Sequence, residues 1–226
     1  MESSLFASVD AFLGDRFARE DSVLKSVRKS LKSAGIEDIS ISANQGKLLY
    51  FLAILSRASR ILEIGTLAGY STIWLARALP ASGRLISIES NPDHAAIARK
   101  SIARAGLSSL VDIVDGNALQ VLPELHQHMP HSFDVVFIDA DKASLAEYFR
   151  WALNLAHGGS LIIADNVVRQ GTILQRDSPD KSVQGVQRFL EKLAAEKNVT
   201  SVVLQTVGAK EHDGMALSVV NEAPRR

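Results

Sequence analysis

The apolar positions of the 226-residue chain follow two rhythms. Within residues 3 to 34, Val23, Leu24, Val27 and Leu31 recur at helical spacing, with Lys25, Arg28, Lys29 and Lys32 on the other faces. This predicts one or two amphipathic helices that end at Gly35. A second helical segment, with Asn44 as its cap, carries Leu48, Leu49, Phe51, Leu52, Ile54 and Leu55. It is apolar over a wide arc, which places it deep against a sheet or a partner chain.

From residue 60 the rhythm shortens. Arg60 to Ile64, Arg84 to Glu89, Leu110 to Val114, Phe133 to Ile138 and Ser160 to Ala164 are short apolar runs, most of them separated by helical segments. Such alternation predicts a parallel sheet covered by helices on both faces. After a helix over Val183 to Ala195 come Ser201 to Val207 and Met215 to Val220, joined by a loop from Gly208 to Gly214. That loop suits a hairpin and is too short for a helical crossover. The expectation is an α/β fold of about seven strands, mostly parallel, closed by an antiparallel pair. A hydrophobic fraction of 46% over this length fits one domain, with helices in 1–57 and the α/β core in 58–226.

Composition removes several functions. Lys plus Arg and Asp plus Glu each number 25, without a concentrated basic run, so nucleic acid is not an expected partner. The absence of cysteine excludes disulfides, thiolate metal sites and cysteine nucleophiles. Met1 to Leu5 lacks the basic start and apolar core of a secretory signal, and no apolar run approaches the ~20 residues that cross a bilayer. A cytoplasmic protein without a membrane partner is expected.

The candidate chemistry lies at strand ends. Glu63-Ile64-Gly65-Thr66-Leu67-Ala68-Gly69-Tyr70-Ser71 reads as a strand, a glycine-bracketed turn and a helix start, with Ser71 as the cap. A dinucleotide loop would place glycines where Leu67 and Tyr70 stand, so a pyrophosphate cradle is not expected. Glu63 is placed to face a cationic group, Glu89 to accept ribose hydroxyls, and Asn117-Ala118 to line an adenine. A nucleoside site without a phosphate cradle but with a cation partner points to S-adenosylmethionine.

Asp139-Ala140-Asp141-Lys142 and Asp165-Asn166 end two successive strands. If these strands are parallel, Asp139, Asp165 and Asn166 converge as three oxygen ligands suited to Mg²⁺, with Ca²⁺ or Mn²⁺ also acceptable. Asp141 reads better as a solvated strand-end acid. Lys142 is either a general base or a fixed positive charge near a developing phenolate. His126, His128 and His131 fall in a polar loop, Pro123 to Ser132, read as solvated, whereas His212 and Asp213 are candidates for a substrate mouth.

Together, E-I-G-T-x-x-G-Y-S at 63–71, D-A-D-K at 139–142 and A-D-N-V at 164–167 resemble the cation-dependent O-methyltransferases, which include the catechol and caffeoyl-coenzyme A enzymes. The resemblance runs from Gln45-Gly46 to Val220 and implies a Rossmann-like class I methyltransferase fold whose last strand is antiparallel. It implies S-adenosylmethionine contacts from Glu63, Gly65, Thr66, Gly69, Tyr70, Ser71, Glu89, Ala118, Asp139 and Tyr148. It further implies metal ligation by Asp139, Asp165 and Asn166, catalysis by Lys142 and Asp139, a small phenolic acceptor and a homodimer. Val168-Arg169 replaces the aromatic residue of the plant enzymes, and Leu145 their tyrosine, which points to a bacterial type. The alternatives are a nitrogen or nucleic-acid acceptor on the same fold, and a non-catalytic nucleoside-binding domain.

Overall fold

The computed structural model describes residues 2–209 and 211–222. Three helices come first, α1 (Glu2–Phe17), α2 (Ser22–Ser33) and α3 (Ala43–Leu55). The sheet and its helices follow in the order β1 (Arg60–Ile64), α4 (Tyr70–Ala76), β2 (Arg84–Glu89), α5 (Pro92–Arg104), β3 (Val111–Asp115), α6 (Ala118–His128), β4 (Phe133–Ile138), α7 (Leu145–Leu155) and β5 (Ala156–Asp165). A 3-10 turn over Arg169–Leu174, α8 (Lys181–Ala195), β6 (Val199–Gly208) and β7 (Glu211–Val220) complete the chain.

The seven strands lie in the order β3-β2-β1-β4-β5-β7-β6. β1 to β5 are parallel, whereas β7 runs antiparallel to both β5 and β6. The expected Rossmann-like class I topology is present. Alternate strand residues feed opposite layers of core. Ile61, Val135 and Phe137 pack with Leu24, Leu31, Leu49 and Trp74 on the face covered by α2 to α5. Leu62, Ile64, Val136 and Ile138 pack with Phe149 and Phe189 on the face covered by α6 to α8. Because the parallel strands are buried on both faces, their sequences are continuously apolar.

Three local expectations need correction. The cap of α3 is Ser42, not Asn44. Ser42 and Gln45 form a reciprocal capping box, while the Asn44 amide is drawn to the Asp10 carbonyl in α1. The polar loop expected from Pro123 is largely helical, with His126 and His128 in the last turn of α6. Pro123 falls mid-helix, where it removes one internal hydrogen bond, and the buried Ala118 and Leu122 hold the helix down. The expected loop from Gly208 to Gly214 is mostly strand, because Glu211 to Gly214 pair with Gly208 to Gln205. α3 buries Gly46, Leu49 and Ala53 within the chain, while its Phe51 and Leu55 are exposed, as are Phe12 and Phe17 of α1. No described helix is long and apolar enough to cross a membrane.

Candidate active site

A cleft of about 520 Å³ opens at the carboxyl ends of the parallel strands. In an open α/β sheet this edge, where the strand order reverses, is where ligands bind. Here the reversal falls between β1 and β4.

The glycine loop forms the floor. Gly65 has a φ of +92°, and a Cβ there would stand 2.2 Å from the Asp139 carbonyl oxygen. Only glycine allows the two strand ends to meet so closely. Gly69, at φ +89°, is the N-cap of α4. Ser71 therefore does not cap the helix; its hydroxyl donates instead to Glu63 at 2.6 Å. Thr66 is buried, its hydroxyl hydrogen-bonded with that of Thr72.

Glu63 does not face a cation in the cleft. It is fully buried beneath the loop, where Ser71, Thr72 and Ser87 all donate hydroxyls to it. Loss of water pushes its pKa up to about 7 against those hydrogen bonds, with help from the nearby Asp139 charge. Glu89 does line the cleft. Its Oε2 accepts from the Thr66 and Leu67 amides at 3.2 and 2.9 Å, and its Oε1 from the Asn91 amide at 3.0 Å. Asn117 caps α6 and brings Ala118 to the same wall.

Tyr70 joins the cleft to the N-terminal helices. Its hydroxyl donates to Glu20 at 2.7 Å, its ring lies under the Arg28 guanidinium, and burial pushes its pKa up to about 12. Arg28 in turn pairs with Glu20 and Asp38 and donates to the Ile41 carbonyl. That network pins residues 39–41, which form another wall of the cleft.

Asp139 and Asp165 stand side by side, since each follows a residue of the register pair Ile138↔Ala164. Asp165 is buried, and loss of water, then the charge of Asp139, push its pKa up to about 7 while Lys142 opposes the shift. The Lys142 ammonium, itself buried, donates to Asp139 Oδ1 at 3.0 Å. Asn166, at φ +57°, lines the cleft and donates its amide NH₂ to Asp213 at 3.1 Å, which keeps its amide oxygen as an acceptor. Among the described residues no three acidic or histidine side chains gather as a metal cluster. The set at this edge is two carboxylates and one amide.

Tyr148 is buried in the same wall and donates its hydroxyl to Asp141; loss of water, then that acid, raises its pKa. Asp141 also accepts from the Ser144 amide, so it is more than a solvated strand-end acid. His212 and Asp213 do not line the cleft. His212 bonds Gln205, while Asp213 accepts from the Val168, Arg169 and Gly214 amides. Arg169, His94 and Ser182 do line it, and no strand-end pattern marks them.

The chain matches the O-methyltransferase family over residues 15–220. It belongs to that family. The methyltransferase is 51% identical to a catechol O-methyltransferase of Niastella koreensis over 220 residues, covering 97% of this chain and 100% of that protein. A catechol O-methyltransferase of Mycobacterium tuberculosis is 42% identical over 94% of both chains. Among solved structures, an O-methyltransferase of Streptomyces achromogenes involved in tomaymycin synthesis, in complex with S-adenosylmethionine, superposes with a TM-score of 0.94 at 45% identity, covering 98% and 99% of the two chains. Membership sets aside both the non-catalytic and the nitrogen or nucleic-acid readings of the methyltransferase.

Proposed function

We propose that the enzyme transfers a methyl group from S-adenosylmethionine to one of two adjacent hydroxyls on a small phenolic acceptor, with one divalent cation held by Asp139, Asp165 and Asn166. The observation that carries this reading is the pair of neighbouring carboxylates. The charge of Asp139 opposes ionisation of the buried Asp165 beside it, and a dication held between the two relieves that opposition. Two carboxylates and an amide oxygen are hard ligands that suit Mg²⁺, and Ca²⁺ or Mn²⁺ fit the same set. The donor complex of the Streptomyces relative supports the choice of methyl donor.

The donor brings a methyl activated by its sulfonium, and the cation supplies positive charge that favours an ionised acceptor hydroxyl. On this reading Glu89 accepts the ribose hydroxyls, and Asn117 with Ala118 walls the base. Lys142 either takes the proton of the reacting hydroxyl as a neutral amine, after its own proton has left to solvent, or stays an ammonium and holds the developing negative charge beside Asp139. Transfer cancels charge, so the protein's main work is to align the reactants and exclude water. Tyr70 and Ile41 line the cleft with apolar surface that serves that purpose. Glu63 acts from below, by fixing Ser71, Thr72 and Ser87 under the loop.

Methyl transfer to catechol is the test, run with Mg²⁺ and with excess chelator. Chelation is expected to abolish turnover, and Asp165→Ala to lower it by more than about 100-fold while the donor still binds. Full activity in chelator would remove the cation. Failure on every member of a panel of catechols, flavonoids and hydroxycinnamates would remove the acceptor class. We also propose a homodimer, supported by the exposed Phe12 and Phe17 of α1 and Phe51 and Leu55 of α3.

A further inference from the structure

Arg169, in the turn that follows β5, lines the cleft. Among the described residues its guanidinium makes no ion pair, and its Nε is shielded from solvent without an acceptor. A guanidinium stays charged and offers five donors in a planar fork that matches a carboxylate. Asp139 and Asp141, which line the same cleft, and Asp213, which holds its backbone, are engaged elsewhere. Asp139 holds Lys142, Asp141 holds Tyr148 and the Ser144 amide, and Asp213 holds the Val168 and Arg169 amides.

The backbone that carries Arg169 is fixed. Its amide donates to Asp213 at 2.9 Å, its carbonyl accepts the Thr172 hydroxyl at 2.7 Å, and its φ is +50°. An unpaired cation on an anchored turn at the rim of a cleft is organised for a ligand before the ligand arrives. Glu89, where the donor's ribose is proposed to sit, ends β2, three strand positions from β5. At ~4.8 Å per strand that is roughly 14 Å. The guanidinium therefore serves the acceptor's end of the cleft.

We infer that Arg169 selects acceptors carrying a carboxylate on the phenolic ring or on its side chain. The inference rests on the proposed vicinal phenol acceptor at Asp139, Asp165 and Asn166. The carboxylate would take the fork of Arg169 while the two hydroxyls lie against the oxygen ligands.

The test compares 3,4-dihydroxybenzoate and 3,4-dihydroxycinnamate with uncharged 4-methylcatechol at saturating donor, in wild type, Arg169→Leu and Arg169→Lys. Wild type is expected to favour the carboxylates by about tenfold or more in kcat/KM, mainly through KM. That ratio should fall to within about twofold of unity in Arg169→Leu and stay intermediate in Arg169→Lys, which keeps the charge but loses the fork. A wild-type ratio near one, or one unaltered in Arg169→Leu, overturns the inference. So does a rise in the KM of the donor larger than that of the acceptor, which would assign the guanidinium to the donor's own carboxylate. Turnover of 4-methylcatechol separates the two levels. If it proceeds without carboxylate preference, only the role of Arg169 falls; if no vicinal phenol is methylated, the proposed acceptor class falls as well.

Discussion

Replacing Glu63 by Gln isolates one buried charge. The carboxyl is fully buried and its pKa rises from an ordinary 4.5 to about 7. A folded-state pKa above the unfolded one means that the native state binds the proton more tightly, so stability falls as pH rises between those values. The cost is nearly absent below pH 4.5, about 1 kcal/mol at pH 5 and roughly 3 kcal/mol by pH 8. Glutamine keeps the shape and can still pair with Ser71, Thr72 and Ser87 through reoriented hydroxyls, but it does not titrate. Urea unfolding of both proteins in chelator, at intervals from pH 5 to 8, gives the difference curve and cancels most other titrating groups. Glu63→Gln should gain about 2 kcal/mol on the wild type across that range. An offset that stays constant within about 0.5 kcal/mol would mean that Glu63 is not carrying this burial penalty.

Gly65→Ala should lower kcat/KM by about 100-fold and reduce Tm, because its Cβ meets the Asp139 carbonyl at 2.2 Å and the loop must shift; wild-type kinetics in that variant would contradict the packing. Lys142→Ala should lower kcat more than it weakens donor binding, and an unaltered pH–rate profile would argue for a charge-holding role over a base. Sedimentation should give twice 24.5 kDa for the wild type, and Phe12→Glu with Phe51→Glu should shift it toward the single-chain mass. A monomeric wild type would refute the homodimer.

The parallel strands were legible because burial on both faces makes them unbroken apolar runs, so β1, β2 and β4 fall where the pattern puts them. β5 begins earlier than expected, at Ala156, since His157, Gly158 and Gly159 enter the sheet through a register shift against β4. No apolar rhythm marks them. β7 likewise starts at Glu211, where polar residues are held by cross-strand pairing rather than by burial. The acids at strand ends were readable from adjacency to a sheet edge. Arg169, His94 and Ser182 were not, because tertiary contacts alone bring those loop and helix residues to the cleft. Glu63 shows the opposite limit: its place at a strand end was clear, but which side of the loop it served depended on how the turn folds Ser71 and Thr72 back over it and on Ser87 of the next strand.

Asp213 sits on β7, outside the cleft, yet its carboxylate gathers the amides of Val168 and Arg169 and the side chain of Asn166. One acid on an antiparallel strand thus sets the stance of both a proposed cation ligand and the arginine beside it. Descendants of this enzyme can rewrite the turn that follows Asn166, and with it the molecules accepted, while the anchor stays untouched. Loss of the anchor would instead blur preference and turnover together.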